Sequence, residues 1–289
     1  MTTTSQTRPS GNPTALKHML SFFRWTRASY ILFSGFLLLL FLIGYVWWPL
    51  LEEYLSYYNP QVSLWRQIDW LLIGNFLFMT LMIMARADIK ADLPIVVIGL
   101  FGGLAIEGWG TQTSLWTYYT NERPPLWIIP AWPIASLAID RLYRLIKFAA
   151  AKVPAKVFKT FYWILFPAFL TLMVVFIVPT LNMSLTILSL ILCVFLILTP
   201  TDHRSAVLVF IAGSGLGYFL ELWGTTRLCW IYYTQQTPPL FAVLAHGMAA
   251  VAFWRVLNLC YIILPRISNL HIRILNKGIS NDKKISSKT

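Results

Sequence analysis

The chain has 289 residues, of which 57% are hydrophobic and only 12% charged, about half the charged fraction of a typical soluble domain. That composition excludes an ordinary soluble enzyme and a soluble α/β fold, because long apolar runs recur along almost the whole sequence. The net charge of +12 is read first as a topology signal and not as affinity for nucleic acid.

Residues 1–26 are polar and basic, are broken by Pro9, Gly11 and Pro13, and lack the cleavage site of a secretory signal peptide. Apolar runs follow at 28–50, 69–86, 93–112, 126–146, 160–179, 182–199, 205–224 and 238–264, each near the ~20 residues a spanning helix needs. The spacing predicts an all-α membrane protein with eight transmembrane helices. Pro167 and the short link from Pro179 to Asn182 are the points where two spans and one kinked helix are hardest to tell apart.

The basic residues test this layout. With the amino terminus inside, only Arg66, Arg123 and Arg227 of the 23 Lys and Arg residues fall outside, so both termini are expected in the cytoplasm. The expected organisation is a basic cytoplasmic tail at 1–27, a four-helix repeat at 28–147, a basic linker at 148–159, a second four-helix repeat at 160–264 and a basic cytoplasmic tail at 265–289. The setting expected is a bacterial inner membrane, with contact to anionic lipid through the last tail.

The repeat is visible in the sequence. Residues 107–126 read EGWGTQTSLWTYYTNERPPL and residues 221–240 read ELWGTTRLCWIYYTQQTPPL, eleven of twenty positions being identical without a gap. The same offset of 114 aligns Gly103 with Gly217, Asp88 with Asp202, Lys90 with Arg204 and Arg141 with Arg255. Four spans return the chain to its starting side, so the copies are expected to share one orientation about an axis along the membrane normal.

Glu107 lies fourteen residues beyond Leu93, hence ~21 Å into a hydrocarbon layer ~30 Å thick. Glu221 has the same depth in the second copy. A carboxyl there is expected to turn inward, and a protonated one can donate to a substrate. Its competing role is structural, anchoring the outer loop, with Gly103 and Gly110 allowing close packing. Trp109, Trp116, Tyr118, Tyr119 and their counterparts Trp223, Trp230, Tyr232, Tyr233 read either as an aromatic belt or as faces that bind a polyene and stabilise a carbocation.

Pro124-Pro125 and Pro238-Pro239 are expected to open the following helices. Beyond them the copies diverge: His246 stands where the first copy has Trp132, and is a packing residue or a proton relay to Glu221. Asp88 and Asp202 read as helix caps, and Asp140 with Arg144 as a solvated i, i+4 pair. Cys193, Cys229 and Cys260 form no C-x-x-C pair, so neither a disulfide framework nor a metal site is expected. No nucleotide-binding motif occurs, and no cofactor is expected.

The pattern Glu, Gly-Thr, Trp-x-Tyr and a proline-led segment, carried by Glu107, Trp116, Tyr118 and by Glu221, Trp230, Tyr232, resembles the integral-membrane carotenoid biosynthesis proteins. That group comprises the heterodimeric and fused lycopene cyclases and the carotenoid hydratases. The cyclases' Pro-x-Glu-Glu element is replaced here by Pro130-Ala131-Trp132-Pro133 and Leu244-Ala245-His246-Gly247, which favours the hydratase branch. The resemblance implies an enzyme of carotenoid or isoprenoid biosynthesis that protonates a C=C bond of a lipid-soluble substrate, leading to hydration or cyclisation. The alternatives from other classes are a lipid or small-molecule transporter and a non-catalytic membrane assembly protein.

Overall fold

The computed structural model describes residues 21–286, with side chains through Ile263 apart from positions 50, 51 and 54. Most of the amino-terminal tail expected at 1–27, and the last three residues of the tail expected at 265–289, lie outside the described residues. The structure is almost wholly helical: α1 (Arg27–Val46), α2 (Trp48–Ser56), α3 (Leu64–Gln67), α4 (Trp70–Met84), α5 (Ile89–Gln112), α6 (Ala131–Ala149), α7 (Ala155–Ile177), α8 (Ser184–Leu198), α9 (His203–Thr226) and α10 (Leu240–Ser286). Two three-residue strands, β1 (Trp116–Tyr118) and β2 (Trp230–Tyr232), follow α5 and α9.

Each of the eight predicted apolar runs contains a helix. Five helices among the described residues are long and apolar enough to cross a membrane: Arg27–Val46, Ile89–Gln112, Ala155–Thr180, His203–Thr226 and Leu240–Ile263. The chain thus carries the apolar helices of a multi-pass membrane protein. α4 and α8 are apolar but have 15 residues each, about 22 Å of helix against a hydrocarbon layer of about 30 Å. Pro167 lies inside α7 without ending it, and a 3-10 turn at Val178–Thr180 separates α7 from α8 as distinct helices.

The chain divides into two compact units, Met1–Asp92 and Leu93–Thr289. In the first, Thr26 and Ser29 form a reciprocal capping box at the start of α1. The same two hydroxyls donate to the carbonyls of Ala87 and Met84, each at 2.7 Å, fastening α1 to the end of α4. Phe36 and Phe76 meet midway, ring centroids 5.9 Å apart.

In the second unit α9 is the central helix, packed on α6, α7 and α10. Its inner faces are aromatic: Phe166 and Phe210 approach at 5.2 Å, and Phe176 stacks on Phe241 at 4.1 Å. Burying such large rings supplies roughly 1.5–3 kcal/mol each where water is the alternative. Between lipid-facing helices the gain comes instead from close packing.

The offset of 114 carries into the structure. It relates α4 to α8, α5 to α9 and β1 to β2 residue for residue. Left-handed backbone recurs at Ser114 and Leu228 and at Asn121 and Gln235, and cis peptides precede Pro124 and Pro238. The strands pair antiparallel in the register Trp116↔Tyr232, Thr117↔Ile231, Tyr118↔Trp230. The two copies therefore meet across a local two-fold axis through Thr117/Ile231, the one equivalent pair that faces itself, while each tryptophan faces the other copy's tyrosine. Tyr119 N–H to Cys229 O at 3.2 Å and Tyr233 N–H to Leu115 O at 3.1 Å extend that symmetry.

One expectation needs correction. Pro124-Pro125 does not open a helix: turns occupy the residues up to Pro130 and α6 starts at Ala131, whereas α10 does start directly after Pro239. The expected i, i+4 pair of Asp140 with Arg144 does form, at 2.9 Å with Arg144 exposed, and the buried Arg141 donates to the same Asp140 oxygen at 2.6 Å. Asp88 and Asp202 do cap α5 and α9, accepting from Lys90 N–H at 2.9 Å and Arg204 N–H at 3.0 Å.

Candidate functional site

Glu107 and Glu221 lie near the ends of α5 and α9, just before the strand pair, and each is 4% exposed. Thr111 and Thr225, one turn later, bond the glutamates' own backbone carbonyls at 2.5 and 2.6 Å. Trp132 bonds Glu107 and stacks on His246, which bonds Glu221, so the two copies contribute to one site under β1 and β2.

Their shells are related by the repeat and differ in one respect. Glu107 accepts from the indole of Trp116 at 3.0 Å and from that of Trp132 at 3.2 Å, and the Tyr118 phenol faces it as Tyr232 faces Glu221. Glu221 accepts from Trp230 at 2.8 Å and from Tyr232 at 2.8 Å, and its Oε1 meets His246 Nε2 at 2.9 Å. His246 thus takes the position of Trp132. Indole N–H groups donate and exchange no proton at ordinary pH. Burial, and then the adjacent Glu221, hold the Tyr232 phenol well above its usual range. Of the groups bonded to the Glu221 carboxyl, only the imidazole can therefore exchange a proton with it.

The glycines of the repeat make this arrangement possible. A Cβ on Gly110 or Gly224 would overlap the Trp116 or Trp230 ring, and one on Gly103 or Gly217 would overlap Trp132 or His246. Their role is to admit the rings that reach the carboxyls, in addition to helix approach.

The remaining aromatics stand farther back. Trp109 and Trp223 meet Trp116 and Trp230 edge-on at 5.8 and 6.0 Å, and Trp109 also donates to Thr186 Oγ1 at 3.2 Å. Trp116 leans on Tyr232 and Tyr118 on Trp230 across the two-fold. Tyr119 and Tyr233 face outward, 45% and 40% exposed, the Tyr233 hydroxyl donating to Phe176 O at 2.7 Å. The copies diverge at Trp127/Phe241: Trp127 donates to Thr120 Oγ1 at 3.5 Å, and the equivalent Thr234 hydroxyl is left buried without a partner.

A cavity of about 60 Å³ opens behind Trp132 and His246, between α5, α6, α9 and α10. None of the eight aromatics expected to bind substrate lines it. Its walls include Phe253 and Trp254, and its far end is formed by Ser136, Asp140 and Tyr143. Trp132 and His246 stack at 5.5 Å and 18° between the cavity and the glutamates, so the carboxyls reach the cavity through these rings. Sequence reasoning missed Ser136, Asp140 and Tyr143. The signal for them is their i, i+4, i+7 spacing on from Ser136, which continues the helical stripe begun by Trp132.

No protein-family model, curated protein or solved structure matches this chain.

Proposed function

We propose that this chain is a membrane enzyme that protonates a C=C bond of a lipid-soluble isoprenoid, with the cavity behind His246 as its substrate site. The observation that carries the reading is the double position of His246, whose ring lines the cavity while Nε2 holds Glu221 at 2.9 Å.

A protonated His246, its charge balanced by Glu221, delivers its proton to the nearer alkene carbon. The π faces of Trp132, Phe253 and Trp254 along the cavity stabilise the tertiary cation that results. Capture by water, with loss of a proton, gives the hydrated product; capture by an internal alkene, followed by loss of a ring proton, gives a cycle. Either route returns one proton to the His246–Glu221 pair, so no cofactor and no redox partner enters. Glu107, held by two indoles, anchors the strand pair and sets the local field. The apolar cavity wall favours this reading over a carrier, which needs a polar path to both faces.

In the bacterial inner membrane we place eight spans, both termini in the cytoplasm, and the β1–β2 pair on the outer side, on the strength of the basic-residue asymmetry. The test is pigment and lipid extraction from a bacterial host that makes acyclic isoprenoids. Cells expressing the chain should gain a species heavier by one water or a cyclised isomer, and H246Q cells should not. Identical profiles with and without the chain overturn the reading.

A further inference from the structure

The two walls of the cavity are repeat-equivalent stripes of unlike polarity. At the offset of 114, Ser136 corresponds to Ala250, Asp140 to Trp254 and Tyr143 to Leu257, and all six line the cavity. The second copy shows that apolar side chains can wall this groove, whereas on α6 the polar trio stands in the wall, Asp140 also pairing with the buried Arg141. Asp140 is 20% exposed, and both guanidiniums that neutralise it, those of Arg141 and Arg144, take Oδ2. Tyr143 is steadied by Ser205, hydroxyl to hydroxyl at 2.8 Å.

We propose that the ligand of this cavity is an isoprenoid alcohol, its double bond at His246 and its hydroxyl donating to the Asp140 carboxylate. Trp132, which stacks on His246, and Asp140 are eight residues apart on α6, so the hydroxyl sits ~12 Å from the reacting carbon. A hydrocarbon leaves the carboxylate facing apolar chain, at the cost of an uncompensated polar group. An ionised prenyl phosphate offers only acceptor oxygens to a carboxylate that is itself only an acceptor. The proposal rests on the cavity being the substrate site of the preceding reading, and binding, not turnover, tests it.

Full-length protein in lipid nanodiscs is titrated with tritiated geranylgeraniol, then with unlabelled geranylgeraniol, its methyl ether, the corresponding hydrocarbon and geranylgeranyl phosphate as competitors. A hydrogen bond to a charged group is worth about 1.5–3 kcal/mol, or roughly 10-fold and more in affinity. The alcohol should therefore compete at least tenfold better than the other three, and D140N should remove that preference. Binding is read without turnover, so a failure of acid catalysis leaves this result standing. Equal competition by alcohol, ether and hydrocarbon, tighter binding of the phosphate, or no saturable binding of geranylgeraniol overturns the proposal. The competitor series on the unaltered protein decides the matter even where D140N does not fold.

Discussion

The indole of Trp132 lies on the imidazole of His246, ring centroids 5.5 Å apart and 18° from parallel, and the two residues occupy the same position in the two copies of the repeat. Each bonds the glutamate of its own copy. Their stack therefore joins the two shells at the point where the copies differ in chemistry, a fixed donor on one side and a proton-exchanging ring on the other.

The first prediction concerns that asymmetry. Glu221→Gln keeps the shape and most hydrogen bonding but removes the carboxylate that balances a protonated His246. Product formation should fall by about 10²–10⁴-fold, the range general acid catalysis supplies. Glu107→Gln should cost less, because its indole partners do not exchange protons. Quantified pigment extracts from cells with matched protein levels compare the two, and unchanged output from E221Q would reduce the glutamates to loop anchors.

The glycines give a prediction about stability. G103A and G217A drive a methyl into Trp132 or His246, and overpacking of this kind typically costs ~1–3 kcal/mol. Gly108 and Gly215 have open space at the Cβ position, so G108A and G215A serve as controls. Thermal unfolding in detergent should separate the pairs by several degrees, with the controls at or above the parent value. Equal midpoints for all four would mean that the rings are not held as described.

A third expectation concerns alkaline pH. Burial first, and then the neighbouring glutamate, raise the phenols of Tyr118 and Tyr232 well above the usual tyrosine range. A folded-state value above the unfolded one means that the stability these groups contribute is complete below about pH 10 and is lost as pH rises through the folded-state value. Ultraviolet titration should find at least two fewer tyrosines ionising near pH 10 in the folded protein than in the unfolded chain. Full ionisation with the fold intact would contradict the burial of both phenols.

Topology supplies a fourth test. Reporter fusions after Tyr119, Lys152 and Tyr233 should report outside, inside and outside. A cytoplasmic signal at Tyr119 would place the strand pair on the inner side and undo the proposed arrangement of spans.

Much of this molecule was legible in the sequence because its determinants are local or periodic. Apolar run length marked where helices form, and an ungapped offset marked which residues are equivalent. Identical aromatics beside Glu107 and Glu221 pointed to the residues that now form the two carboxyl shells. Where helix starts depend on loop geometry the sequence misled, as at Pro124-Pro125, since proline suits a turn as well as a helix's first residues.

The sequence could not decide who touches whom across helices. That Trp116 crosses to Tyr232 follows from strand pairing between segments 114 residues apart, and the burial of Arg141 follows from tertiary packing, not from its place in a basic run. Asp140 reads as a surface partner of Arg144 by spacing alone. Only the juxtaposition of α6 and α10 makes it the polar end of a cavity whose other end is His246, because a side chain's environment is set by the facing helix and not by its neighbours in the chain.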